Sequence, residues 1–297
     1  MKVKHLFIIN PKAGKGRTLG LIPEIKSAFS KLDEDYIIEV TEYPGHASII
    51  SKEYTSKGIY RVYAVGGDGT LNEVLNGMVN SSSFLGVIPC GSGNDFVKSI
   101  YGEKSNKVFV NQIINGNIKK IDLGKIENRY FLNISSVGID AEVVSNALDF
   151  KKIPFISGTL AYLVSAITTI LNYCSKKVEL IIDGERINID LTLFAVANGR
   201  YYGGGMKVAP LADLKDGYFD LCLVSKISRL KMLLFFPKLI KGTHYKIDEV
   251  KFLKGKNIKL KAEREISINI DGELIKSDRV EFSIIAGGIN FIVPDIN

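Results

Sequence analysis

Three glycines and an aspartate interrupt an apolar segment in the first quarter of the chain. The segment Tyr60–Val65 reads as a buried strand, Gly66-Gly67-Asp68-Gly69 follows it directly, and a helical pattern begins at Thr70. A helix start presents unpaired backbone N–H groups, and glycines permit positive φ angles and let a phosphate approach the backbone. The spacing therefore predicts a phosphate-binding turn. A tight turn in which Asp68 caps the helix is the alternative.

Asp68 narrows the chemistry of this turn, because a lone carboxylate repels phosphate. It becomes useful if it holds Mg²⁺ or water, or takes part in proton transfer. Three glycines and an acid at one strand end favour phosphate chemistry over a simple turn.

Two further glycine-containing turns follow predicted strands. The turn at 10–16 contains two glycines and two lysines, although it matches neither the Walker A spacing nor the dinucleotide fingerprint. In the turn at 90–95, Ser92 and Asn94 offer hydrogen bonds, and a helix cap is the alternative interpretation. One such turn is ordinary, but three on one sheet edge would form a site.

The first 120 residues alternate between strand and helix patterns, which predicts βαβ units and a parallel sheet. The predicted strands are Leu6–Asn10, Tyr36–Thr41, Tyr60–Val65 and Leu85–Pro89, and the predicted helices are Arg17–Leu32, Ala47–Ser56 and Thr70–Val79. Right-handed crossovers place the carboxyl ends of these strands on one edge, where such sheets bind ligands. All three turns fall on that edge.

Strand patterns dominate from about Ile121, and many alternate apolar with polar residues, as half-buried antiparallel strands do. Helical patterns interrupt them at Ala141–Phe150, Phe155–Tyr173 and Arg229–Lys241. The fold class is thus an α/β chain with a parallel-sheet nucleotide-binding domain at 1–122 and a β-rich, antiparallel, sandwich-like domain at 123–297.

Composition restricts the classes of partner. The 297 residues carry a formal charge of +7, which suits a nucleotide, a nucleic acid or an acidic lipid surface. No basic run with interleaved aromatic residues is present, so we do not expect nucleic-acid binding. Three scattered cysteines and the lack of a signal-peptide pattern favour a cytoplasmic protein.

Two segments bear on membranes. Residues 153–175 carry no formal charge, and we interpret them first as a buried helix, second as a lipid-contacting helix and third as a membrane span. Arg229–Lys241 has the composition of an interfacial helix, although core packing with a basic outer edge is equally compatible, and Pro237 is expected to kink or break it.

Six motifs together resemble the bacterial diacylglycerol kinase–like lipid kinases, which are relatives of the sphingosine kinases and, more remotely, of the NAD kinases. They are Asn-Pro-x-x-Gly at 10–14, Gly-Gly-Asp-Gly-Thr-Leu-Asn-Glu-Val at 66–74, Pro-x-Gly-Ser-Gly-Asn-Asp-Phe at 89–96, Asn-Gly-Arg-Tyr-Tyr-Gly-Gly-Gly at 198–205, Pro-Leu-Ala-Asp-Leu-Lys-Asp-Gly-Tyr at 210–218 and Asn-Ile-Asp-Gly-Glu at 269–273. The resemblance covers essentially the whole chain. Ser92 stands where many of these kinases have threonine, which leaves the acceptor lipid open.

The resemblance implies ATP and Mg²⁺ as cosubstrates and catalysis in the cleft between the two domains. The nucleotide contacts it implies are Asn10, Pro11, Lys12, Ala13, Gly14, Thr41, Gly66, Gly67, Asp68, Gly69, Thr70, Leu71, Asn72 and Ser92. It assigns the general base to Glu273 first and Asp271 second, with Asp68 organising Mg²⁺ or water. It also implies a second, structural Mg²⁺ at Asp213, Asp216 and Tyr218.

The residues alone support the later motifs less strongly. Asp271-Gly272-Glu273 reads as an ordinary hairpin turn, and Asp183-Gly184-Glu185 repeats the same tripeptide in a similar setting. Asp213 and Asp216 could bind a hard cation or could be solvated turn residues. Only the order of the family's motifs selects Asp271 over Asp183.

The resulting hypothesis is an ATP-dependent lipid kinase that acts at an anionic membrane surface, with diacylglycerol as acceptor and phosphatidic acid as product. The alternatives are an NAD kinase–like enzyme with a soluble acceptor and a lipid-sensing protein without turnover. The sequence does not specify the oligomeric state, and a homodimer is kept as an alternative to a monomer.

Overall fold

The computed structural model describes residues 4–30, 32, 34–102, 109–150 and 158–294. The strands are β1 (Lys4–Ile9), β2 (Tyr36–Val40), β3 (Tyr60–Gly66), β4 (Phe84–Pro89), β5 (Asn117–Ile126), β6 (Arg129–Phe131), β7 (Ile134–Gly138), β8 (Lys176–Ile182), β9 (Glu185–Ala197), β10 (Phe219–Ser225), β11 (Val250–Gly255), β12 (Asn257–Ile270) and β13 (Glu273–Val293). The helices are α1 (Ile22–Phe29), α2 (His46–Thr55), α3 (Asp68–Met78), α4 (Asp95–Tyr101), α5 (Val110–Ile114), α6 (Ile139–Phe150), α7 (Gly158–Asn172) and α8 (Arg229–Lys241). Short 3-10 helices cover Ala13–Leu21 and His244–Lys246.

The N-terminal part is a parallel sheet with the strand order β4-β3-β1-β2. Its central strands β1 and β3 are buried over residues 5–9 and 62–66, because helices cover both faces of a parallel sheet. The predicted alternation of strands and helices is confirmed here. The carboxyl ends of β1, β3 and β4 lie side by side and lead into the three glycine-containing turns.

The C-terminal part is antiparallel in the order β11-β10-β9-β7-β12-β13. The long strand β13 pairs antiparallel with β12 and β5, and it also pairs in parallel with β4 through Phe291 and Leu85. The last strand of the chain therefore joins the two sheets into one hydrogen-bonded network. This junction fixes the N-terminal phosphate turns relative to the β-rich part.

Several predicted elements differ in their bounds. The predicted helix Arg17–Leu32 is a 3-10 helix as far as Leu21 and an α-helix only over Ile22–Phe29. Asn257–Lys261 and Ile266–Ile270 belong to one strand, β12, whose pairing with β13 shifts register between Lys261 and Ile266. The helix α8 continues through Pro237 to Lys241.

The uncharged segment 153–175 forms α7 from Gly158 to Asn172, and residues 151–157 lie outside the described part. Ala166 and Ile170 are buried, whereas Ile167 and Leu171 are exposed. Within the described ranges, no helix is long and apolar enough to cross a membrane. The described side chains of α7 therefore pack against the protein on one side of the helix and are exposed on the other.

Candidate functional site

Asn10 connects the first turn to the second. Its side-chain amide donates to the Thr70 hydroxyl at 3.0 Å, and its carbonyl oxygen Oδ1 accepts from the Lys12 backbone N–H at 3.0 Å. The Thr18 hydroxyl donates to the Asn10 backbone carbonyl at 2.7 Å. A single asparagine thus holds the lysine-rich turn against the start of α3.

The second and third turns meet through glycines. A Cβ on Gly67 would lie 3.1 Å from the Cα of Gly91, and a Cβ on Gly91 would lie 2.6 Å from the Cα of Gly67. A Cβ on Gly66 would collide with the Thr70 side chain. Positive φ is not the reason for these glycines, contrary to the sequence-based expectation: Gly67 has φ −102°. Close backbone approach is what requires them.

Asp68 caps α4 from the neighbouring turn. Its two carboxylate oxygens accept from the backbone N–H groups of Asp95 at 3.1 Å and Phe96 at 3.2 Å. Burial raises the pKa of Asp68, and these N–H groups partly offset the increase. Each oxygen accepts only one of these bonds, which leaves capacity for a hard cation or its water. The position therefore fits the Mg²⁺ that accompanies a nucleotide.

Two adjoining pockets are lined by most of the predicted nucleotide contacts, and we call them the nucleotide pockets. The larger, of about 870 Å³, is lined by Asn10, Lys12, Ala13, Gly14, Lys15, Arg17, Gly67, Asp68, Gly69, Thr70, Glu73, Gly91, Ser92 and Gly93. The smaller, of about 150 Å³, adds Pro11, Thr41, Glu42, Tyr43, Pro44 and Ala47. Lys15, Arg17 and Tyr43 are additions to the predicted set. The first two have a sequence signal, since they flank the glycines of the first turn.

A third cavity, of about 290 Å³, lies between the two sheets. It is lined by Asp68, Leu71, Asn72, Ser92, Gly93, Asp95, Phe96, Leu132, Asn133, Ile134, Asp140, Val144, Tyr202, Gly203, Asn269, Asp271 and Gly272. We call this space the interdomain cavity. Leu71 and Asn72 were predicted as nucleotide contacts. They line the interdomain cavity and neither of the two pockets described above. Ser92, Gly93 and Asp68 line both this cavity and the larger nucleotide pocket.

Asp95 and Gly204 help close the interdomain cavity. Asp95 accepts from the Gly204 backbone N–H at 2.7 Å and pairs with the Lys98 ammonium at 3.0 Å. The tyrosine- and glycine-rich motif at 198–205 therefore positions the second half of the chain against α4.

Asp271 is the most heavily hydrogen-bonded carboxylate of the site. Oδ1 accepts from the backbone N–H groups of Asn133 at 3.2 Å and Ile134 at 2.9 Å. Oδ2 accepts from the Leu132 N–H at 3.0 Å and from the Asn72 side-chain amide at 3.1 Å. Four donors match the roughly four acceptor positions of a carboxylate. Burial raises the pKa of Asp271 to about 6 despite these bonds.

Glu273 lies elsewhere, although it is only two residues away. Its carboxylate is exposed, pairs with the Arg129 guanidinium and does not line the interdomain cavity. The two predicted base candidates therefore differ in position: Asp271 lines the interdomain cavity, and Glu273 does not.

The second Asp-Gly-Glu turn resolves the ambiguity left by the sequence. Asp183 and Gly184 have φ 48° and 96°, almost the same as the 47° and 97° of Asp271 and Gly272. Asp183, however, accepts from the backbone N–H groups of Lys256 and Asn257 and lines none of the three cavities above. The two turns share their backbone angles, and they differ in where the sheet places them relative to the interdomain cavity.

Asp140 is a cavity residue that sequence reasoning missed. It follows β7 at the start of α6, and neither of its buried carboxylate oxygens has a hydrogen-bond partner among the described residues. Burial raises the pKa of Asp140 to about 6. The sequence offered no signal, because a lone acid at a helix start is ordinary.

The predicted structural metal site has an internal cation in its place. Asp216 pairs with the Lys254 ammonium, which also lies 3.7 Å from Asp220, and the other Asp216 oxygen accepts from the Tyr218 N–H at 3.0 Å. Asp213 accepts from the Lys215 N–H at 3.0 Å. Across the described ranges, no group of three or more His, Cys, Asp or Glu side chains is arranged to hold a metal. Lys254 therefore supplies the positive charge that a Mg²⁺ would bring to this loop, and the metal site stays a prediction.

Comparison with known proteins covers both halves of the chain. Residues 4–126 match the diacylglycerol kinase catalytic domain, and residues 133–293 match the YegS C-terminal NAD kinase beta sandwich-like domain. A diacylglycerol kinase of Staphylococcus carnosus is 29% identical over 92% of this chain and 89% of its own length, and one of Bacillus subtilis is 28% identical over 90% and 88%. A crystal structure of a putative diacylglycerol kinase from Bacillus anthracis superposes with a TM-score of 0.80 at 27% identity, over 98% of this chain and 95% of that one.

The domain models match in the order that the six motifs indicate, and the solved structure covers both halves together. The predicted fold class, a parallel α/β domain followed by a β-rich sandwich-like domain, is confirmed. The chain belongs to the bacterial diacylglycerol kinase–like family of lipid kinases.

Proposed function

We propose that this protein transfers the γ-phosphoryl group of ATP to the hydroxyl of a lipid, and that diacylglycerol is the acceptor and phosphatidic acid the product. The observation that carries the proposal is the shared wall of two cavities. Ser92, Gly93 and Asp68 line both the larger nucleotide pocket and the interdomain cavity. A phosphate held by the turns would therefore face an acceptor held between the domains.

The nucleotide side supplies charge stabilisation. Backbone N–H groups at the start of α3, together with Lys12, Lys15 and Arg17, surround the larger pocket and suit the polyphosphate. Mg²⁺ bound with the nucleotide would neutralise part of its charge. Asp68 is the residue we assign to hold this ion or its water, because its oxygens retain acceptor capacity.

The acceptor side supplies an apolar wall and proton-accepting groups. Leu71, Phe96, Leu132, Ile134 and Val144 give the interdomain cavity an apolar lining suited to the start of an acyl chain. Glu273 remains our first candidate for the general base, because its carboxylate is exposed and has one ion pair, with Arg129. Asp271 is the second candidate: burial raises its pKa to about 6, which favours proton uptake, but four donors already occupy its acceptor positions.

A membrane supplies this substrate. Diacylglycerol resides in bilayers, and a chain with a formal charge of +7 is attracted to anionic lipid surfaces. We propose a cytoplasmic enzyme that associates peripherally with such a surface.

The test is an assay of labelled ATP against a panel of lipids in mixed micelles, with NAD as a soluble control acceptor. We expect label in a lipid phosphate and none in NAD phosphate. Labelled NADP, or turnover of no lipid in the panel, would contradict the proposal.

A further inference from the structure

The outward face of α8 carries large apolar side chains, and no element in the described part of the chain covers it. Leu230, Leu233, Leu234 and Ile240 have exposed fractions of 70%, 43%, 60% and 55%, whereas Met232, Phe235 and Leu239 are buried. At 100° per residue, Leu230, Leu234, Pro237 and Lys241 share the centre of the outward face. Burial of the inner face alone therefore does not explain the leucines on the outer one.

The neighbouring helix extends the same surface. The helix α7 packs against α8, and the two share a core that includes Ala166, Ile170, Met232 and Phe235. Ile167 and Leu171 lie one turn apart on α7, with exposed fractions of 44% and 50%. Six large aliphatic side chains thus lie on the outer sides of two adjacent helices. Monomeric proteins rarely expose such a group without a partner.

The charge of α8 and its flanking residues indicates which kind of partner would cover this surface. Residues 226–246 contain six lysine or arginine residues and neither aspartate nor glutamate. This segment accounts for nearly all of the formal +7 of the chain. Among the described residues, only Lys231 of these six has a salt-bridge partner, Glu249. Leucines that project between unpaired cations match a surface that is apolar inside and anionic outside.

The surface also lies on the layer that borders the interdomain cavity. The buried side of α8 belongs to the same core as Tyr202, which lines that cavity, and the Leu239 carbonyl accepts from the Lys207 N–H at 3.0 Å. A bilayer touching the outer side of α8 would therefore be connected to the proposed acceptor site through this core.

We propose that the outward faces of α8 and α7 dock on an anionic bilayer, with Leu230 and Leu234 inserted among the lipids and Arg229, Lys238 and Lys241 among the headgroups. The proposal rests on the proposed function for the biological role of docking. The docking itself is measured without turnover, so the two can fail separately.

The test measures binding of the full chain to vesicles of phosphatidylglycerol and of phosphatidylcholine by co-sedimentation. The wild type should bind the anionic vesicles and release them at about 1 M salt, where charge attraction is screened. The double variant Leu230→Ser/Leu234→Ser should bind at least about tenfold more weakly, since two leucines lose their transfer into lipid. Arg229→Glu/Lys241→Glu should lose the preference for anionic lipid.

Ile59→Ser is the matched control. Ile59 is 51% exposed and precedes β3, at the opposite end of the strand from the phosphate turns. It should bind vesicles as the wild type does, and the thermal midpoints of all variants should agree. Activity of the leucine variant on a dispersed, short-chain diacylglycerol should match the wild type.

Three results would overturn the docking surface. Unchanged vesicle binding in the leucine variant would remove these side chains from the contact. An equal loss in Ile59→Ser would show a non-specific effect. A wild-type dimer in sedimentation velocity that becomes a monomer in the leucine variant would show that a second copy of the chain covers this face.

Discussion

Asp271 and Glu273 are two residues apart on one hairpin, yet their surroundings differ, and we propose different roles for them. Asp271 accepts four hydrogen bonds, one of them from Asn72 on the N-terminal half, and so ties the two halves together. Glu273 has one ion pair and is exposed. An acid that is free to take a proton differs from one whose acceptor positions are filled, which is why we place Glu273 first.

Replacing Glu273 tests its assignment as the general base. Glu273→Gln keeps the shape and removes the basicity, so kcat should fall by about two orders of magnitude or more while ATP binding stays nearly intact. Glu185→Gln, in the equivalent turn at 183–185, should change little. Near-normal turnover in Glu273→Gln, or an equal loss in Glu185→Gln, would show that another carboxylate accepts the proton.

The buried acids predict a pH dependence of stability. Asp140 has a folded-state pKa of about 6 against an ordinary 3.8, so the folded protein binds this proton more tightly than the unfolded chain does. Its stabilising contribution is complete below about pH 4 and is lost as the pH rises towards about 6, a loss of order 3 kcal/mol. Asp140→Asn should remove this loss and be more stable than the wild type at about pH 8.

Asp271→Asn is the contrasting variant in the same urea-unfolding series. Its amide nitrogen cannot accept hydrogen bonds, so buried N–H donors lose their partner and the free energy of unfolding should fall by about 2–4 kcal/mol. Because burial also raises the pKa of Asp271 to about 6, the wild type itself loses stability as the pH rises, so the cost of the variant should be largest below about pH 4 and smaller at about pH 8. If Asp140→Asn is the less stable of the two at about pH 8, the carboxylate of Asp140 has a partner that stabilises it.

At the scale of elements, the site depends on three strand ends brought together by a parallel sheet. Gly67→Val should abolish nucleotide binding, because a branched side chain would collide with Gly91 and separate the second and third turns. Gly20→Val, at an exposed position with no atom within 4 Å of its ideal Cβ, is the control. Calorimetric titration with ATP would measure both, and unchanged affinity in a folded Gly67→Val would remove this turn from the site.

The loop at 213–218 gives a second test at this scale. The Lys254 ammonium already compensates Asp216 and Asp220, so we expect Mg²⁺ to raise the melting temperature of the wild type very little. Lys254→Met leaves the carboxylates uncompensated and should make stability increase with Mg²⁺. A large Mg²⁺ effect in the wild type that disappears in Asp216→Ala would instead establish the metal site that the sequence resemblance implies.

The elements also show what sequence could and could not predict. Buried strands ending in glycines at 66–67 and 91 allowed the sheet edge and the phosphate turns to be predicted, because both patterns are local. The reason for those glycines could not be predicted, since the Gly67–Gly91 approach joins two separate turns. The partners of Asp271 were missed for the same reason: they depend on β7 and β12 pairing across more than 130 residues.

At the scale of the whole molecule, one hydrogen-bonded network joins the two halves of the chain. The strand β13 pairs with β5 along one edge and with β12 and then β4 along the other, so the halves that we propose hold the acceptor and the nucleotide are linked through β13. The interdomain cavity lies where the two halves meet. The proposed reaction requires that a lipid hydroxyl enter this cavity while ATP occupies the turns next to it.

The most direct measurement is transfer of labelled γ-phosphoryl from ATP to diacylglycerol by the wild type and by Val144→Trp, side by side. Val144 lines the interdomain cavity and neither nucleotide pocket, so the larger side chain should exclude the lipid and leave ATP affinity unchanged. The wild type should form labelled phosphatidic acid, and Val144→Trp should lose at least about tenfold in kcat/KM for the lipid. Full lipid turnover by a folded Val144→Trp, or a wild type that labels no lipid, would contradict the account.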